Sequence, residues 1–163
     1  EPPLSGVRVL KSSAEIGVTD ATGKVFVPDL GSYQVNDVAI QSKDVPLDYT
    51  FAKSTQKIRP PLRSGVVASF DIQRVRAIIG RLKMRRDGIE TPLENYEIVL
   101  TGKTATARAT TIRGGDFYIE NLVPGRYSAQ LKVEEKACRL ELTVPDSQEI
   151  VADLGEIFCE SIH

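Results

Sequence analysis

The sequence predicts an all-β chain built as two tandem small β-sandwiches, immunoglobulin-like or transthyretin-like in kind. Three observations predict it. Apolar residues recur with a period of two nearly everywhere, and no window of a dozen residues carries the 3.6-residue spacing of an amphipathic helix. Turn signals break the alternation about every 8 to 12 residues, the rhythm of a sandwich. A pattern also occurs twice, as Gly23-Lys-Val-Phe-Val-Pro-Asp-Leu30 and Gly115-Asp-Phe-Tyr-Ile-Glu-Asn-Leu122, each followed by a tyrosine, Tyr33 or Tyr127. The interval exceeds the roughly 20 to 50 residues of a solenoid repeat and fits two similar domains.

In the first half the alternation predicts strands over 7–10, 15–18, 24–27, 36–41, 48–52 and 66–73. Asp20-Ala-Thr-Gly23 and Pro28-Asp29 mark turns, and Pro46 ends a strand because it has no N–H to donate. Ile58-Arg-Pro-Pro-Leu-Arg-Ser-Gly65 predicts a stiff extended crossing, since each proline fixes its own φ and biases its predecessor away from helix. In the second half the expected strands are 76–84, 97–100, 105–111, 116–120, 125–133, 137–144 and 150–158. Arg86-Asp87-Gly88 and Arg113-Gly114-Gly115 supply turns, because Asp-Gly and Gly-Gly tolerate positive φ. The boundary is expected at 71–76, giving domains 1–73 and 74–163. Val25, Val27, Leu30, Phe70, Phe117, Ile119, Leu122 and Leu142 are the expected core.

The chain has 163 residues, 41% hydrophobic and 26% charged, which is ordinary for a globular protein. Units of about 80 residues lie near the lower limit for a self-sufficient core, so a staple is expected. With 21 basic residues against 22 acidic ones, the net charge of −1 gives no electrostatic case for nucleic acid. Nothing approaches the roughly 18 apolar residues of a spanning helix. Glu1-Pro-Pro-Leu4 has neither the basic start nor the apolar run of a signal peptide, so the chain is expected to be an excised or processed piece of a longer product. Cys138 and Cys159 both lie in the second half and are either one disulfide or two buried thiols.

Catalytic chemistry finds no setting. The sole histidine, His163, is the last residue, where an imidazole is poorly held for general base work. There is no Cys-x-x-Cys, His-Glu-x-x-His, phosphate-binding or dinucleotide-binding glycine motif. No enzyme, no metal, no cofactor and no small-molecule substrate are therefore expected. The candidate partner contacts are Arg74, Arg76, Arg81, Lys83 and Arg85, part of a basic run that ends at Arg86. Their parity switches from even to odd positions, and a bulge or bend at Ile79-Gly80 would restore a single basic face. Such a face either protects a sheet edge or meets an acidic partner or lipid headgroups.

The residues also carry a resemblance. Glu15-Ile-Gly-Val-Thr-Asp20, the turn at Gly23, Val27-Pro-Asp-Leu30, Tyr33-Gln-Val-Asn36, Val38-Ala-Ile40 and Val45-Pro-Leu47 resemble, in order, the segment after the barrel of fimbrial outer-membrane ushers of the chaperone–usher pathway. Arg59-Pro-Pro and Gly65-Val-Val-Ala-Ser-Phe70 continue it. Gly115-x-x-Tyr-x-x-x-Leu122, Gly125-x-Tyr127, Cys138 and Cys159 resemble the ushers' final domain. Leu122-Val-Pro-Gly-Arg-Tyr127 equally resembles transthyretin-like or carboxypeptidase-regulatory-like sandwiches, and the basic strand departs from the family pattern.

The resemblance implies a Cys138–Cys159 disulfide and a place on the periplasmic face of a Gram-negative outer membrane. It implies as partners the periplasmic chaperone–pilin subunit complexes and the rest of the usher, its barrel and N-terminal domain. The implied role is to hold those complexes for pilus assembly, without covalent chemistry or ATP. The competing reading is a structural or regulatory-type sandwich, such as an adhesin stalk, with no assembly role.

Overall fold

The computed structural model describes residues 3–103, 105–134 and 136–160. They are all-β and sandwich-type, with two short 3-10 turns, Ser42–Asp44 and Arg113–Gly115. The chain divides into two compact units, Glu1–Gln73 and Arg74–His163.

In the first unit, strands β1 (Arg8–Lys11), β2 (Ala14–Val18), β3 (Asn36–Ile40), β4 (Tyr49–Phe51), β5 (Thr55–Ile58) and β6 (Ile72–Arg74) follow in order. One antiparallel sheet runs β2-β1-β3-β5, and β4 pairs with β6. The β1–β2 hairpin turns through Ser12 and Ser13, both at positive φ (46° and 71°). That is the backbone of a two-residue hairpin turn normally filled by Asn-Gly, and two serines give no such signal in the sequence. Val7, Val9, Val38, Ile40, Val45 and Ile58 form the buried core, with Val25, Val27, Leu30 and Phe70 only partly buried against it.

The strands expected at 24–27 and over most of 66–73 are not there. Residues 24–30 and 65–71 run without ladder pairing, and only Ile72 onward is a strand. They nevertheless keep a strand's alternation: Val25, Val27, Ala68 and Phe70 turn partly inward, while Phe26 is 83% and Val67 91% exposed. Conversely β5, which has one buried aliphatic among polar residues, is a strand that periodicity did not mark.

The second unit continues with β7 (Arg76–Arg86), β8 (Ile89–Pro92), β9 (Glu97–Thr101), β10 (Thr106–Thr110), β11 (Asp116–Leu122), β12 (Gly125–Val133), β13 (Lys136–Val144) and β14 (Val151–Glu160). One sheet has the order β10-β9-β12-β13, and the other runs β11-β7-β14 with β8 also on β7. All pairs are antiparallel except β7 with β14, which is parallel. Ile78, Leu82, Leu100, Phe117, Ile119, Leu122, Leu142 and Val144 fill the core of this unit. β8 was not expected, because its four residues are all exposed. The Asp87-Gly88 turn before it takes positive φ at both positions, 51° and 77°.

Three features fix this unit. Cys138 on β13 and Cys159 on β14 form a disulfide, with Cα atoms 6.0 Å apart and both residues buried. It ties one strand of each sheet together. Tyr127 donates its hydroxyl proton to the Val123 carbonyl at 2.8 Å, the tyrosine-corner bond of sandwich folds. Gly115, at φ 81°, leaves no room for a side chain, since a Cβ there would lie 2.2 Å from the Leu82 carbonyl oxygen.

Candidate functional site

The basic run does not form one face. Along β7 the even residues Ile78 and Leu82 are buried, whereas Ile79, Arg81 and Arg85 on odd positions are exposed. Arg76 is even and goes inside with them, only 2% exposed. Its guanidinium donates to the Ser147 carbonyl (3.0 and 2.6 Å) and the Val75 carbonyl (2.8 Å). As a surface contact Arg76 is therefore corrected: it is a buried cation satisfied by main-chain oxygens. Arg74 at the end of β6 is half-buried.

The expected bulge at Ile79-Gly80 is corrected too. Residues 78–81 of β7 keep unbroken register with β11, and the irregularities lie in the partners. On β14 an extra residue sits between Asp153 and Glu156, where Gly155 takes φ 67° and donates its N–H to Asp153 Oδ1 at 2.8 Å. On β11 the shift falls between Ile119 and Leu122, around Asn121 at φ 60°. The parity switch follows from Arg76, which faces the core while Arg81 and Arg85 face outward.

The outward basic residues have acidic neighbours. Arg81 Nε meets Asp116 Oδ1 at 2.7 Å, a bond that raises the guanidinium pKa and lowers that of the carboxyl. Lys83 bonds Glu156, whose carboxyl it holds below the usual range, and also reaches Glu90 at 3.7 Å. Arg85 lies 3.1 Å from Glu90 and 3.9 Å from the centre of the Phe158 ring. The face is a mixed-charge lattice, and such exposed pairs contribute little stability each.

The residues that carry the usher resemblance in the first unit build turns. Asp20 Oδ1 accepts from the Thr22 N–H (2.7 Å), the Thr22 hydroxyl (2.7 Å) and the Lys24 N–H (3.1 Å), which lowers its pKa. The Thr19 hydroxyl accepts from Val7 N–H at 3.0 Å and donates to the Leu4 carbonyl at 2.8 Å. Buried Asn36 accepts from Gly31 N–H at 2.9 Å and directs its amide at the carbonyls of Gly31, Gln34 and Ile58. These side chains replace main-chain partners where the chain leaves the sheet.

The feature that sequence reasoning missed is a cavity of about 930 Å3 in the first unit. Packed interiors have few voids larger than a water molecule, whereas ligand sites run about 300 to 1,000 Å3. Val7, Val9, Val38, Ile40 and Ile58 line it from the sheet, and Val25, Val27, Leu30, Ala68 and Phe70 from the two unpaired segments. Its charged lining residues, Lys24, Asp29 and Arg63, are all exposed. Among the described residues, no set of His, Cys, Asp or Glu is placed to hold a metal ion, and no helix is long and apolar enough to cross a membrane. His163 lies outside the described residues.

No family model matches the chain. In sequence it is similar to an outer membrane usher protein, CS3-2, of Escherichia coli, at 25% identity over 139 residues. The match covers 81% of this chain and 14% of the usher, so the chain spans a small part of that relative's length. Among solved structures, the Bacillus anthracis TIE protein aligns over 98% of this chain and 32% of its own, at 13% identity and TM-score 0.41. The minor pilin GBS52 of Streptococcus agalactiae aligns over 99% and 85%, at 10% identity and TM-score 0.39. Scores of that size carry no argument about function.

Proposed function

We propose that this chain is the C-terminal part of a fimbrial outer-membrane usher, two sandwiches that hold chaperone–subunit complexes in the periplasm for pilus assembly. The observation that carries the reading is the sequence similarity to an outer membrane usher across 81% of the chain. The order of the first unit's motifs, from Thr19-Asp20 to Asn36 and on to Arg59-Pro-Pro, supports it.

The proposed work is binding. The rest of the usher, its barrel and N-terminal domain, would be the covalent context, and the chaperone–subunit complex the client. No small-molecule substrate, nucleic acid, cofactor or bond-making step enters this reading. Apolar side chains left exposed beside the first unit's cavity, Phe26, Val66 and Val67, suit a protein partner better than a spacer role. Arg81, Lys83 and Arg85 stay candidate contacts only as members of mixed-charge pairs, which favours a partner carrying both signs over a purely acidic one.

Removing the coding segment for residues 1–163 from its gene in the source organism tests the role. Loss of surface pili, with any remaining product still recovered in the outer membrane, is expected. Unchanged piliation would contradict the assembly role and favour a structural module.

A further inference from the structure

The two copies of the repeated pattern agree in backbone as well as in sequence. Each opens on a glycine at positive φ, Gly23 at 69° and Gly115 at 81°. Each has its Asp or Asn in the left-handed region just before the closing leucine, Asp29 at 57° and Asn121 at 60°. Their alternation also agrees, with Val25 and Val27 turned inward like Phe117 and Ile119, and Phe26 exposed like Tyr118.

They differ in pairing. The second copy is β11, hydrogen-bonded along β7, a strand whose inward positions include Ile78 and Leu82. The first copy has no neighbour. Among the described residues no main-chain N–H from 25 to 30, nor from 66 to 70, has a partner, although both segments alternate inward and outward residues and line the same mostly apolar cavity. Of their carbonyls, Asp29 accepts from Lys11 and Ser69 from Gln56.

An unpaired row of N–H and C=O groups is a template for another strand. The apolar lining then sets which side chains that strand must carry. We infer that the first unit accepts an extended segment of another protein as an added strand against residues 24–30 and 65–71, its apolar residues at alternate positions filling the cavity. The binding mode is strand addition, in which main-chain bonds give affinity and alternate side chains give selection. Pro28, which has no N–H to donate, and the left-handed Asp29 after it limit the ladder on 24–30 to a short segment of about four to six residues. The inference rests on the first unit's geometry and is independent of the usher reading.

The full chain, labelled with nitrogen-15, would be titrated with the peptide acetyl-Ser-Thr-Val-Thr-Val-Thr-Val-Ser-amide. Two controls accompany it, one of the same composition with its valines contiguous and one with every valine N-methylated. The alternating peptide should bind with one-to-one stoichiometry and slow amide exchange at least tenfold within 25–30 and 66–70, and neither control should do so. Ala68→Phe, which fills the cavity from its wall, should abolish that binding without lowering the unfolding midpoint. The inference is overturned if the alternating peptide has no effect at its solubility limit, or if the controls protect equally. It is also overturned if these amides are protected without peptide, whether by each other or by a second copy of the chain.

Discussion

Single residues decide the local conformations here, and two of them give sharp tests. At Gly115 positive φ and the nearby Leu82 carbonyl both exclude a side chain, so Gly115→Ala should destabilise the second unit by at least the roughly 1 to 3 kcal/mol of a strained backbone site. Urea unfolding measures this. Asp44 joins the turn after β3 to β1 by accepting from Arg8 Nε at 2.8 Å, Arg8 Nη2 at 2.9 Å and the Arg8 N–H at 3.0 Å. Those bonds bring its carboxyl from 3.8 down to about 2. Because the folded value is the lower one, the stabilisation is complete above pH 3.8 and is lost as the pH falls toward 2. The stability difference between the wild type and Asp44→Asn should accordingly shrink across that window in urea titrations at stepped pH. A difference that stays constant down to pH 2 would show that the pair is not the cause.

Among the elements, those with self-contained signals were legible in the sequence. β12, β13 and the first half of β11 alternate apolar and polar residues against a buried core, so period two located them directly. β5 and β8 were not legible, because one buried aliphatic in four residues, or none, gives no period to read. The opposite error at 24–27 and 66–71 has a different cause. Alternation reports which way side chains face, and it is silent on whether a neighbouring strand exists to complete the ladder. The cavity is the product of that missing neighbour, which explains why it had no sequence signature. Arg76 shows the same limit for charge, since a guanidinium inside the protein looks identical in sequence to one in water. The disulfide acts at this scale as well. Closing a loop between residues 21 apart in sequence should stabilise the second unit by about 3 kcal/mol in the chain-entropy account. In calorimetry the Cys138→Ser, Cys159→Ser double variant should therefore lose stability in the transition of unit Arg74–His163. The transition of Glu1–Gln73 should hold within error, and an equal fall in both would mean that the units unfold as one.

At the scale of the whole molecule, the two units divide the structural work unequally. The second has two paired sheets, a filled core and a covalent tie between them. The first has one four-stranded sheet, beside the small β4–β6 pair, facing partly buried, unpaired segments across a large, mostly apolar cavity. Under the proposed reading, the incompletely closed first unit would supply most of the contact with a partner. The central claim is that this chain holds a chaperone–subunit complex, and a binding titration tests it most directly. The purified chain would be titrated with the chaperone–subunit complex of its source organism, with the free chaperone as control. Saturable binding to the complex, weaker or absent with chaperone alone, is the result expected. Absence of binding to the complex, with the chain shown to be folded, would contradict the claim and leave a structural or regulatory-type sandwich as the better account.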